Sequence, residues 1–132
     1  MFLAAIRVVN PKAEELQART HAFFLRVSRL CESVVRNTTT TTITRQLTDS
    51  AGSTDSNYRG ACRGRTKKEF IAKIGVAAEE ADESKGWLLK LLETGYGERL
   101  ETEALIQEAH ELTAIFVASE KTARRNMRRR VK

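Results

Sequence analysis

Proline is nearly absent from this sequence: Pro11 is the only one among 132 residues, beside seven glycines and eight aromatics. That scarcity disfavours a turn-rich β-sandwich and suits long helices. Cysteine is almost as rare. Cys31 and Cys62 supply neither a disulfide framework nor metal-ligand spacing, which reads as a protein of a reducing cytoplasm. Long apolar runs are missing too, and a membrane span needs about 18 residues. The opening Met1–Ile6 is apolar, but it is too short for the core of a secretory signal and no basic residue precedes it. Histidine occurs twice. His110-Glu111 begins like a zinc-protease helix, but Ala114 stands where the second ligand belongs. Neither His21 nor His110 has a Glu three residues before it, which removes the di-iron bundle motif. Both read as solvated or half-buried helix residues, and no metal or cofactor is expected.

What the chain has is charge, unevenly placed. The net charge is +6, from 23 basic and 17 acidic residues. Lys121, Arg124, Arg125, Arg128, Arg129, Arg130 and Lys132 crowd the last twelve positions without an acid. Without those seven, 16 basic residues face 17 acidic ones, so the body is near neutral and carries a basic tail. A second cluster, Arg59, Arg63, Arg65, Lys67 and Lys68, fills ten residues that also lack an acid.

Apolar spacing predicts four helices. Residues 12–36 carry Leu16, Thr20, Phe23, Val27, Leu30 and Val34 in steps of three and four, behind Asn10 as N-cap and Pro11 in the first turn. Thr38–Thr42 are β-branched and follow Asn37, a good terminator, so a connection is expected there. A second, weaker helix over 43–62 has Ile43, Leu47, Ser50 or Ala51, Thr54, Tyr58 and Ala61 on its inner face. Gly52 and Gly60 weaken it, yet would let a neighbouring backbone come close. Thr66-Lys67-Lys68-Glu69 is a capping box that opens the third helix. Phe70, Ile74, Ala77, Ala81, Ser84, Leu88 and Leu91 form its seam, Trp87, Leu89 and Leu92 a second edge, and Gly95 its left-handed C-terminal residue. The fourth helix runs from about Glu98 into the tail, with Leu105, Ala109, Leu112 and Phe116 inside and Ile106, Ile115 and Ala118 beside them. Four helices with short connections predict an all-α fold, an up-down four-helix bundle over 12–123. An apolar extension (1–11) precedes it and the basic tail (124–132) follows.

The chemistry that these residues allow is limited. Cys62 lies between Arg59 and Arg63, which would favour a thiolate, but a small packing residue between helices is the better reading. Cys31 belongs to the core. Glu79, Glu80, Asp82 and Glu83 spread around a helical turn as a solvated face. The Gly60–Lys67 stretch lacks the ending and the preceding strand of a P-loop. Nothing points to an enzyme. The tail can neutralise phosphates or can be a frayed, solubilising end; for Arg59–Lys68, ion pairs to neighbouring acidic helices are the first expectation.

Gln46-Leu47, Ser53, Asn57-Tyr58-Arg59, Ala61-Cys62-Arg63, Arg65 and Lys67–Phe70 resemble the bacterial four-helix-bundle proteins labelled 23S ribosomal RNA intervening-sequence proteins. Ile71–Gly75, Glu80–Ser84 and Trp87-Leu88 continue the resemblance, and Ala114–Ser119 with Lys121–Ala123 are similar to that family's last helix. It extends over roughly residues 12–126. Gly60 stands where the family commonly has an acid, and Thr48, Asp49, Thr54 and Asp55 are more polar than usual there. The resemblance implies a left-handed bundle that assembles into a ring, typically a pentamer, without an established activity. It also implies a distant similarity to the accessory variability determinants of diversity-generating retroelements, barrels that bind nucleic acid and a reverse transcriptase. The function expected is therefore that of a cytoplasmic, non-enzymatic oligomer that binds RNA or DNA through Arg124, Arg125, Arg128, Arg129, Arg130, Lys132, Arg59, Arg63, Arg65, Lys67 and Lys68, as an accessory to a reverse transcriptase or a ribosomal RNA element. A protein-interaction scaffold with a solubilising tail is the alternative.

Overall fold

The computed structural model describes residues 10–131, with side chains through Arg129. The apolar extension therefore lies outside the described residues, apart from Asn10 and Pro11. Four helices follow in order: α1 (Pro11–Ser33), α2 (Thr38–Cys62), α3 (Lys67–Glu93) and α4 (Arg99–Val131). No strand occurs among the described residues. The all-α expectation holds.

Each helix packs on the next, and α4 closes back on α1. Paired residues give the directions. Thr20 meets Asp55 and Cys31 approaches the Thr44 carbonyl, so α1 and α2 run oppositely. Arg19 meets Glu108 while Arg26 meets Glu101, so α1 and α4 do too.

Asn10 begins α1 as expected. Its Oδ1 accepts from the Lys12 and Ala13 amides at 3.0 and 3.4 Å, and Pro11 loses nothing at a position whose N–H has no helical partner. The helix stops at Ser33, three residues before the expected end, because Val34 turns to extended backbone while its side chain stays buried.

The threonine run is not a connection. It forms the first turns of α2, and Asn37 starts that helix rather than ending the previous one. Asn37 Oδ1 accepts from the Thr40 amide, and Thr40 Oγ1 accepts from the Asn37 amide, both at 2.9 Å. Thr40 Oγ1 also donates to the Val35 carbonyl at 2.6 Å. Reciprocal capping and the burial of Thr40 outweigh the few tenths of a kcal/mol that each β-branched residue loses in a helix, roughly.

The inner face of α2 is as the spacing predicts: Ile43, Leu47, Ser50, Ala51, Thr54, Tyr58 and Ala61 are all buried. Its hydroxyls are satisfied locally, Thr54 donating to the Ser50 carbonyl at 2.8 Å and Ser84 of α3 to Ser50 Oγ at 2.9 Å. At Gly52 the close approach comes from a side chain and not a backbone. The Phe24 ring lies 3.4 Å from where a Cβ would stand.

Thr66 caps α3, accepting from the Glu69 amide at 3.0 Å, but the return half of the box differs. Glu69 Oε2 accepts from the Arg65 amide at 2.6 Å, one residue earlier than Thr66. The α3 seam is confirmed from Ile74 to Leu91. At its start Ile71 is buried, and Phe70 is only half-buried. Gly95 takes the left-handed conformation at φ 79°. Leu105, Ala109, Leu112 and Phe116 are fully buried on α4, which Glu98 opens by accepting from the Glu101 amide at 2.7 Å. Ala118 is exposed instead of flanking the seam.

Small residues line α3: Ala77, Ala78, Ala81 and Ser84 are buried. They let α2 and α4 come close to it. The α1 face carries Phe23, Val27 and Leu30, and α1 stands farther from both of its neighbours.

Candidate nucleic-acid interface

The two basic clusters, far apart in sequence, meet at one end of the bundle. The register between α3 and α4 establishes this. Lys85 Nζ lies 3.1 Å from His110 Nδ1, and Gly75 faces Glu120, whose carboxylate is 3.3 Å from where a Cβ would stand. Ten residues separate each member of one pair from its counterpart in the other, so the register advances one for one. Lys67, eight residues before Gly75, is then level with Arg128, eight after Glu120. A cleft of about 390 Å³ lined by Lys67, Phe70, Thr122 and Ala123 marks the junction.

Helical spacing sorts the tail into two faces. Lys121, Arg124, Arg125, Arg128 and Arg129 fall on one arc and are all exposed. Ala123 lies opposite and is buried, and Met127 beside it is half-buried. The helix continues through Val131, and these charges lie along one side of it as a stripe. Arg124 is the member with a partner, held by Glu120 at 2.9 Å one turn earlier. The Arg130 and Lys132 side chains lie outside the described residues.

The 59–68 cluster departs from the ion-pairing expectation. Arg59 meets Asp55 at 3.5 Å on its own helix. Arg63, Arg65, Lys67 and Lys68 are exposed, and none forms an ion pair among the described residues. The Arg–carboxylate pairs that join two helices lie in the α1–α4 contact. Arg19 donates to Glu108 at 2.6 Å, and Arg26 to Glu101 at 2.9 Å. Those bonds raise both guanidinium pKa values and hold the Glu101 carboxyl below its ordinary range. Arg63, Arg65, Lys67, Lys68, Arg125, Arg128 and Arg129 thus bring seven basic side chains without an ion pair among the described residues to the end where the clusters meet.

Asp55 makes contacts that spacing alone misses. It accepts from Thr20 Oγ1 at 2.6 Å, and it approaches both Arg59 and, at 3.8 Å, His21. Its signal in sequence was its polarity on a helix otherwise short of acids. Cys31 and Cys62 are free, half-buried and packed against the core, as their packing reading requires. Burial pushes the Cys31 thiol pKa up, and burial beside Cys62 does the same to the Tyr58 hydroxyl. Among the described residues, no group of three or more His, Cys, Asp or Glu side chains is placed to hold a metal, and no helix is long and apolar enough to cross a membrane.

The model of a family described as 23S rRNA-intervening sequence protein matches residues 13–118, a span that stops short of the basic stripe. A crystal structure from Bacteroides thetaiotaomicron VPI-5482, a protein of unknown function from the S23 ribosomal protein family, superposes with a TM-score of 0.75. It is 24% identical, and the alignment covers 83% of this chain and 98% of that one. At that identity the likeness establishes the fold. No curated protein matches the chain.

Proposed function

This chain belongs to the 23S rRNA-intervening sequence protein family, and from that premise we propose a non-enzymatic, oligomeric bundle that binds nucleic acid through its basic end. The observation that carries the reading is the convergence of two clusters. Lys67 and Lys68 of α3 stand level with Arg125, Arg128 and Arg129 of α4, and none of the five forms an ion pair among the described residues. Lysine and arginine placed this way contact phosphates and release counterions, which gives affinity without reading sequence.

The aromatic residues support a backbone-directed mode. Phe23, Tyr58 and Phe116 are buried and Phe70 is half-buried, which leaves no exposed ring among the described residues near the basic end for bases to stack on. The more exposed Tyr96 lies at the opposite end, in the α3–α4 connection. Assembly would multiply the effect. In a ring of five copies, several basic stripes would act on one strand, and each added contact would count as an effective concentration instead of a new bimolecular event.

The test is a titration of the full chain and of an Arg124→Gln, Arg125→Gln, Arg128→Gln, Arg129→Gln variant against duplex and single-stranded DNA and RNA at two salt concentrations. Loss of binding in the variant supports the reading. Equal binding moves the site to Arg63–Lys68, and absence of binding by either protein leaves a protein-interaction scaffold.

A further inference from the structure

At the same end of the bundle, α1 and α4 leave a groove between them. Its volume is about 700 Å³, within the roughly 300–1,000 Å³ of pockets that hold a ligand. The floor is apolar: Leu16 from α1, Tyr58, Ala61 and Cys62 from the last turns of α2, Phe70 from α3 and Ile115 from α4. The rim carries Lys12, Glu15 and Arg19, with Arg19 already engaged by Glu108. The groove exists because α1 stands off from α4. Arginine–glutamate pairs join the two helices farther along, and near the start of α1 no side chain among the described residues fills the gap.

Asn10 lines this groove, and it is also where residues 1–9 join the bundle. Those nine residues read Met-Phe-Leu-Ala-Ala-Ile-Arg-Val-Val, eight apolar and one charged. No stretch of that composition is needed to start α1, which Asn10 and Pro11 accomplish alone. We propose that the groove between α1 and α4 is the docking site of the chain's own N-terminal segment, Met1–Val9, whose apolar side chains cover Leu16, Cys62, Phe70 and Ile115.

Three features select this occupant. Apolar side chains match an apolar floor, which removes both from water. The attachment point lies on the rim, and a tether that short gives an effective concentration of about millimolar order without any further contact. The reach is sufficient, since nine extended residues span about 30 Å. The segment's single charge, Arg7, meets a rim on which Glu15 is the one acid. Docking there would also seat the N-terminal segment beside the basic end, although the proposal does not depend on what that end binds.

Cys62 makes the proposal measurable, because it lines the groove, whereas Cys31 lines a different one between α1 and α2. The full chain is alkylated with iodoacetamide and each cysteine is followed separately by mass spectrometry, beside a Leu3→Asp, Ile6→Asp, Val8→Asp variant. Cys62 should react at least about tenfold faster in the variant while Cys31 keeps its rate, the signature of a local cover removed from a folded protein. An unchanged Cys62 rate overturns the proposal. Protection of Cys62 that falls on dilution also overturns it, by assigning the segment to a second copy. If the variant unfolds, which would accelerate both cysteines, an Ala4→Cys chain decides. Mild oxidation should join positions 4 and 62 within one chain, and a bond only between chains, or none, overturns the assignment.

Discussion

The rings of Tyr58 and Phe116 lie 5.4 Å apart, centroid to centroid, with 24° between their planes. They join α2 to α4, helices that otherwise meet only through their shared neighbours. Stacked in this way, the pair adds to its burial a preference for one relative position of the two helices. Tyr58 belongs to the groove floor and Phe116 is fully buried against it, so the core is anchored at the end that carries the basic clusters.

Truncating the fully buried ring tests that anchor. Phe116→Ala should destabilise the protein by about 3–5 kcal/mol, since it removes a large buried side chain and leaves a cavity under Tyr58. Urea unfolding followed by circular dichroism measures it. A loss below about 1 kcal/mol would mean that the site collapses or that the stack is dispensable.

The α3 cap gives a smaller effect with a separate cause. Thr66→Ala removes the acceptor of the Glu69 amide and should cost about 0.5–2 kcal/mol. Because the Glu69 carboxylate accepts from the Arg65 amide and not from Thr66, Glu69→Ala leaves the Thr66 bond to the residue-69 amide in place, and the two losses should add to within about 0.5 kcal/mol if the bonds act independently.

Salt dependence reports on the stripe. Replacing Arg124, Arg125, Arg128 and Arg129 by Gln should flatten the plot of log K against log salt by about 0.9 for each phosphate no longer neutralised on duplex DNA, or about 0.7 on single strands. Arg124 is expected to contribute least, because Glu120 already holds it. An identical slope for variant and parent would show that the stripe touches no phosphate.

Assembly is testable by light scattering at micromolar concentration. The expected mass is a multiple of the 14.9 kDa chain, five-fold for the proposed ring. Leu25, Val76, Leu89, Leu100 and Val117 are the large exposed apolar side chains on the helices, among the described residues, available for such contacts. A mass of one chain would remove the ring and the multiplication of tails that follows from it.

The pH dependence has a definite sign at each end. Arg26 holds Glu101 below its ordinary value of 4.5, so the stability it contributes is present above that value and is lost as pH falls through the lowered one. Glu101→Gln should therefore flatten the acid limb of the stability curve. Burial raises the Cys31 thiol and the Tyr58 hydroxyl above their ordinary values of 9.0 and 10.0. Their contribution is intact below those values and disappears as pH rises beyond them, and Tyr58→Phe should reduce the alkaline loss. Equilibrium unfolding from pH 3 to 11 covers both limbs.

Most of the helical seams were legible in the sequence because burial imposes a spacing of three and four that survives whatever the loops do. Ile43 to Ala61 shows this well, since the face was read correctly although half of it is small or polar. The threonine run was misread for a local reason. Asn37 satisfies a helix start as readily as a helix end, and only the reciprocal bond from Thr40 decides between them. Ion pairs were illegible for the opposite reason: Arg19 and Glu108 are 89 residues apart, and no periodicity announces the pairing. The basic residues of the site were legible as two clusters. Their meeting was not, because it depends on the register of α3 against α4, which the Gly75–Glu120 contact fixes only in three dimensions.

The small-residue lining of α3 has a consequence for how the protein opens. A helix wrapped closely on both sides by α2 and α4 can expose its amides only when the whole molecule comes apart, whereas α1, set farther out, can detach while the other three stay assembled. Amide hydrogen exchange should therefore be slowest along Ile74–Leu88 and fastest, among the helix interiors, in α1. Salt should hasten exchange in α1 in particular, since screening weakens the Arg19 and Arg26 attachments and leaves the alanine-lined interfaces intact. The bundle is in this sense a three-helix body with a releasable fourth helix, α1, whose first turns form one wall of the groove.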